Sequence, residues 1–182
     1  MLFSRCRLLL ATVLGMAAAG NSHAQQALNA GNFSGYFEVN GQYYQADSAI
    51  SAPEVKEKWL NNGFMSLSYN YGGLSVGVRY ESYLNTLLGF DPNFKGNGIT
   101  NRFITYTNAK LSVTAGNFYE QFGSGLVFRT YWEPNLGLDN SMDGLRAIFT
   151  PAAGITLKGV IGRQRDFFTY PESIVRGVDA DI

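Results

Sequence analysis

The chain has 182 residues, 14 basic against 14 acidic, with one Cys and one His. Charged residues make up 15% and aromatics 14%, where an ordinary soluble domain is about a quarter charged. That balance excludes a general binder of nucleic acid or anionic membrane surface, which needs a clear basic excess. It suits strands that face lipid, although a secreted, Tyr-rich β-sandwich has a similar composition.

Residues 1–24 read as an export signal. Arg5 and Arg7 form the positive start, residues 8–19 the apolar core, and Ser22-His23-Ala24 a small-x-small cleavage site before Gln25. At about twelve residues the apolar run is too short for a permanent membrane helix, and Cys6 does not follow a small residue as a lipoprotein cysteine would. Cleavage removes Cys6 and His23, so the mature chain has no disulfide, no zinc site built from Cys or His, and no catalytic pair resting on either. Taking Arg5 and Arg7 from the 14 basic residues leaves 12 against 14 acidic, a mature charge of about −2. No later run approaches ~20 apolar residues, so helical spanning is excluded.

The remaining chain, residues 25–182, reads as successive strands. In residues 33–43, Phe33, Gly35, Phe37, Val39, Gly41 and Tyr43 share one face; Ser34, Tyr36, Glu38, Asn40 and Gln42 share the other. Residues 63–71 set Met65, Leu67, Tyr69 and Tyr71 against Phe64, Ser66, Ser68 and Asn70. After Gly72-Gly73, Leu74, Val76, Val78 and Tyr80 oppose Ser75, Gly77, Arg79 and Glu81, a strong hairpin signal. A second hairpin spans residues 102–108 and 111–118; its first strand is ambiguous, since Phe103, Ile104 and Tyr106 do not share a face. A third joins residues 144–150 to 155–164 across Thr150-Pro151-Ala152-Ala153-Gly154.

Connections alternate between these tight links and long polar stretches, at residues 45–61, 84–100 and 119–142. Short turns on one side and long loops on the other are the pattern of an antiparallel transmembrane β-barrel, in which the apolar face meets lipid and the polar face the interior. In a sandwich the apolar face would meet a second sheet, and alternation alone does not separate the two. Tyr69 and Tyr71, directly before a tight turn, sit where an aromatic girdle would lie. Counting from a periplasmic N-terminus gives about seven strands, while single-chain bacterial barrels close with even numbers. The expectation is an all-β, up-and-down transmembrane barrel present as an N-terminal part. Residues 166–182, with Pro171 and no finished terminal strand, would begin a fourth long loop; a last strand at residues 173–178 would be too short to span.

The polar faces supply the candidate lumen residues: Glu38, Asn40, Gln42, Arg79, Glu81, Arg146 and Lys158. Charges of both signs around a wall tune permeation, and the same charges can instead pair with neighbours inside a plugged or narrow barrel. Glu120, Arg129 and Glu133 lie in or near the third long stretch and could form a folded-in constriction, although a solvated loop is the default. Asp139-Asn140-Ser141-Met142-Asp143-Gly144 resembles the start of a calcium loop, but Thr150 stands where the bidentate Glu belongs, so a turn held by Asx hydrogen bonds is expected there. Gly123-Ser124-Gly125 has no His or aligned Lys to activate its serine, and the Gly-rich pieces are not phosphate loops. No catalytic, cofactor-binding or metal-binding residue is assigned.

Three stretches resemble a family of uncharacterised outer-membrane proteins of Bacteroidetes. They are Leu84-Asn85-Thr86-Leu87-Leu88-Gly89-Phe90-Asp91-Pro92 with Lys95-Gly96-Asn97-Gly98-Ile99, then Gly116-Asn117-Phe118-Tyr119-Glu120-Gln121-Phe122-Gly123-Ser124-Gly125-Leu126, and Leu138-Asp139-Asn140-Ser141-Met142-Asp143-Gly144. The resemblance implies longer single barrels and carries no activity over to any residue. The expected function is porin-like passage of small solutes at the outer membrane. The alternative is a structural barrel that binds envelope proteins through its long loops. Partners would be outer-membrane lipid and small solutes or envelope proteins, not nucleic acid; an enzyme is not expected.

Overall fold

The computed structural model describes residues 31–51 and 54–182. The expected signal, residues 1–24, lies outside them. The described chain is all-β: β1 (Asn32–Tyr43), β2 (Trp59–Tyr71), β3 (Leu74–Leu84), β4 (Gly96–Thr107), β5 (Leu111–Phe118), β6 (Trp132–Glu133), β7 (Leu138–Asp139), β8 (Met142–Ala152), β9 (Ile155–Gln164) and β10 (Val175–Asp181). Eight of these make one sheet in the order β1-β2-β3-β4-β5-β8-β9-β10, and β6 pairs with β7 inside the third long connection. Each neighbouring pair from β2 onward is antiparallel. The sheet is open, with β1 and β10 at its edges.

The tight links form where the sequence supplies turn chemistry. Gly72, at φ +55°, and Gly73 connect the paired residues Tyr71 and Leu74, a backbone conformation that glycine adopts without steric cost. At the second link Asn108 accepts from the amides of Lys110 (2.9 Å) and Leu111 (3.0 Å), an Asx turn. The third link is shorter than residues 150–154. β8 runs through Ala152, a register shift between Phe149 and Ala152 takes up Pro151, and Ala153-Gly154 turns the chain. Proline cannot donate to a ladder, and a bulge tolerates it.

A second irregularity lies in β4, and the ambiguity of residues 102–108 has its own cause in Phe103. Arg79 pairs with Asn101 but Tyr80 pairs with Ile99, leaving Thr100 as an extra residue. Alternation read through Thr100 falls out of phase. Below it Phe103 lies on the polar side, over Gly77, while Ile104 and Tyr106 are exposed on the apolar side. A β-carbon at Gly77 would approach the Phe103 ring to 2.5 Å. Gly77→Val is therefore expected to cost about 1–3 kcal/mol through overpacking, read as a lower urea midpoint; an unchanged midpoint would contradict this packing.

The expected strandless tail is corrected. Val175–Asp181 forms a seven-residue strand paired with β9 from Val175↔Gly162 to Asp181↔Thr156. The sheet thus holds eight strands, not seven, and the odd count behind the parity expectation falls. Pro171 lies in the connection before this strand, where it breaks no ladder.

The two faces of the sheet differ sharply. One exposes Leu67, Val76, Ile104, Leu145, Leu157 and Ile161. The other is covered by the long connections, which bring aromatic residues onto it. Phe64, Tyr83 and Phe94 form one buried cluster, joined by Phe90, Trp132, Phe167 and Phe168. Phe118, Phe122, Met142 and Val160 form another, joined by Phe128 and Val175. Stretches that read as polar loops thus supply much of the core.

Candidate functional site

The third connection, residues 119–141, folds over the polar side of the sheet. Glu120 and Thr130 hold its stem: the Glu120 amide donates to Thr130 Oγ1, and the Thr130 amide donates to the Glu120 carbonyl, both at 2.9 Å. The Tyr131 amide donates to Asn140 Oδ1 at 2.7 Å, and Trp132 pairs with Asp139 across the small β6–β7 ribbon. Glu133 caps the short turn Pro134–Leu136, which Gly137 closes at φ +62°. This ribbon delivers Trp132 and Asp139 to Arg79.

There a neutral network of two arginines and two carboxylates forms, each side chain 1–7% exposed. Arg79 Nε donates to Glu81 Oε1 at 2.7 Å, and its Nη2 reaches both Asp139 and the Tyr119 hydroxyl (3.1 Å). Arg165, just past β9, donates from Nη2 to Glu81 Oε2 (2.9 Å), from Nη1 to Asp139 Oδ2 (2.5 Å), and from Nε to the Phe167 carbonyl. The Tyr119 hydroxyl donates to Asp139, and the Ser141 amide donates to Asp139 Oδ1 at 3.0 Å. The Arg79 guanidinium lies 4.0 Å from the centre of the Trp132 ring, within cation–π range.

Desolvating four charges is costly, and the cost is offset only where pairing and hydrogen bonds are complete. Here each carboxylate meets two guanidinium groups. Burial pushes the Tyr119 phenol up, and the Asp139 charge adds to the shift, so Tyr119 remains a donor. Burial opposes the charge on Arg165. Its hydrogen bond to Glu81 and the charges of Glu81 and Asp139 outweigh that, and its pKa moves up.

A second anchor holds the stem. Lys158 Nζ donates to Glu120 Oε1 (3.0 Å) and the Gln121 carbonyl (2.9 Å). Arg146 donates to the Tyr119 carbonyl (3.0 Å) and Thr114 Oγ1 (3.1 Å), and lies 3.6 Å from Glu120. Phe122 packs over Gly177 of β10, where a β-carbon would come within 2.7 Å of the ring.

The seven candidate residues thus divide. Arg79, Glu81, Arg146 and Lys158 fasten residues 119–141 to the sheet. Glu38, Asn40 and Gln42 line a cavity of about 380 Å³ with Asn62, Phe90 and Asn135. There Glu38 accepts from Asn40 Nδ2, and Gln42 Oε1 accepts from the Tyr44 hydroxyl, both at 2.7 Å. Of the suspected constriction residues, Glu120 is an anchor, Arg129 stacks on Tyr131 with 4.6 Å to the ring centre, and Glu133 caps a turn.

Asp139, Arg165, Tyr119 and Trp132 are the partners that sequence reading missed. Asp139 drew notice only as the first position of a calcium-like stretch. Its carboxylate is committed to two guanidinium groups, and the Ser141 amide bond supplies the expected Asx turn. The profile of a family of unknown function, DUF6029, matches residues 3–182. The chain belongs to that family. No curated protein matches it. In this DUF6029 chain the network is a mechanical clamp, because every charge in it is already spoken for. The cavity is a different environment: one carboxylate and four side-chain amides line it, and they can hydrogen-bond a polar solute.

Proposed function

We propose that the chain builds the wall of an outer-membrane β-barrel, exported by its N-terminal signal, that passes small polar solutes through a lumen narrowed by residues 119–141. The observation that carries this reading is the inversion of the sheet. Its long connections cover the charged side, burying Arg79, Glu81, Asp139 and Arg165, while Leu67, Val76, Ile104, Leu145 and Leu157 stay exposed. A soluble sandwich covers its apolar side with a second sheet; a bilayer is the solvent that suits this one. Aromatic residues stand at both ends of the apolar band. Tyr71 and Tyr106, both in register with Leu74, lie beside the tight turns, and Tyr43 and Trp59 (centroids 4.9 Å apart) lie at the loop end. β2, β3, β4 and β8 have 11–13 residues, enough for a tilted strand to cross a bilayer, which takes about 9–11. The likeness of residues 84–99, 116–126 and 138–144 to outer-membrane proteins of Bacteroidetes points the same way.

A second reading, a plugged barrel that scaffolds envelope proteins, is favoured by the two aromatic clusters and the clamp that fill the inner side. Planar-bilayer recording separates the two. A pore gives discrete openings, and Glu38→Lys in the polar cavity shifts its selectivity toward anions. Electrical silence together with stable co-purifying envelope proteins would favour the scaffold instead.

A further inference from the structure

We infer that the outward face across β8, β9 and β10 holds a specific site for a phosphate-bearing membrane lipid. This inference rests on the bilayer reading above. Two independent features meet there. The first is a groove of about 650 Å³ on the apolar side, lined by Val113, Leu145, Ala147, Gly159, Ile161 and Val178. It exists because Ala147 and Gly159 face each other across the β8–β9 ladder, with Leu145 and Ile161 paired two residues away. Nothing lies within 4 Å of a β-carbon built on Gly159, so the hollow is open. A lipid acyl chain is the occupant such a slot would meet in a bilayer.

The second feature is charge. The outward positions of β1, β2 and β3 carry none: Phe33, Phe37, Val39, Met65, Leu67, Val76, Val78 and Tyr80 are typical of them. Outward charges gather instead on β4, β8, β9 and β10, as Arg102, Asp143, Arg163 and Arg176. Asp143 pairs with Arg102 at 3.2 Å and sits opposite Arg163 in the β8–β9 register. Arg176, which lines the groove, sits opposite Ile161 and therefore lies diagonally from Arg163. Arg163 and Arg176 are both exposed and take no part in the described ion pairs. Three cations against one anion at the rim of an apolar slot match an amphiphile with an anionic head. Two guanidinium groups on adjacent strands suit phosphate oxygens, which accept paired N–H donors. Elsewhere such unpaired arginines beside a lipid-facing band would be a liability.

The test places the full-length protein in phosphatidylcholine vesicles carrying traces of spin-labelled phosphatidylglycerol or spin-labelled phosphatidylcholine, and compares their association by electron paramagnetic resonance. Wild type is expected to prefer the phosphatidylglycerol label roughly fivefold or more, the factor one basic side chain contributes at an anionic surface. Arg163→Gln with Arg176→Gln should abolish that preference. Gly159→Leu, which fills open space, should reduce the motionally restricted fraction of either label. Heat-modifiable gel mobility reports insertion separately. An inserted protein with no headgroup preference overturns the lipid site and leaves the barrel standing. A preference that survives the double arginine variant also overturns it. A protein that stays dissolved without detergent and never enters the vesicles overturns the barrel and the site together.

Discussion

Asp139→Ala is expected to lower unfolding free energy by about 3–5 kcal/mol, the cost of leaving a buried charge without its partner. Arg79 and Arg165 would then share Glu81 alone, and one guanidinium charge would stay enclosed with nothing to neutralise it. Side chains only 1–7% exposed have no water close by to compensate. The substitution also removes the acceptor for the Tyr119 hydroxyl and for the Ser141 amide. Residues 119–141 should therefore come away from the sheet. Urea titration of the refolded protein gives the free energy, and limited proteolysis within residues 123–128 reports the release. Loss of less than about 1 kcal/mol would show that the network contributes no more than an ordinary surface pair.

Ile104→Arg gives the second large effect and decides what the apolar face touches. Ile104 is 48% exposed in the chain alone and lies opposite Val76 and Ala115. If lipid covers it, arginine there, two residues inside the Tyr106 girdle, costs about 1–3 kcal/mol, between the interfacial and midplane values. If water covers it, a substitution at so exposed a site stays within about 0.5 kcal/mol. Ser75→Arg, on the opposite side, should be nearly neutral in either case. Folding free energies measured in vesicles by urea titration would show a penalty confined to Ile104; equal, small effects at both positions would sink the membrane assignment.

The strands were legible because period-two alternation survives in most of them. From Phe33 to Tyr43 and from Leu74 to Glu81 each residue could be assigned a face without knowing its neighbours. Legibility failed where one residue shifts the phase. Pro151 does this at the end of β8 and Thr100 does it early in β4, while residues 102–108 were ambiguous because Phe103 turns a large ring to the inner face, over Gly77. The last strand was missed because Val175–Asp181 is short and mixes Val with Arg and Asp, so it has no clear apolar face. The site was only half legible, for a different reason. Arg79 and Glu81 stood out on a polar strand face. Their partners lie in stretches rich in Asn, Gly and Asp, whose composition argues for solvated loops. The missed signal was aromatic: Phe90, Phe94, Phe122, Phe128, Trp132, Phe167 and Phe168 are too many large rings for loops that simply face water.

Distance along the chain gives the clamp a place in time. Glu81 and Arg165 are 84 residues apart, and Asp139 and Arg165 are 26 apart. The latch therefore cannot set when the first hairpins form; it must wait until β9 has docked and carried Arg165 into reach. Until then Glu81 has Arg79 as its one guanidinium partner, and Asp139 can reach Arg79 but not Arg165. Completing the network thus couples the first hairpin to the end of β9: neither closes the inner side without the other.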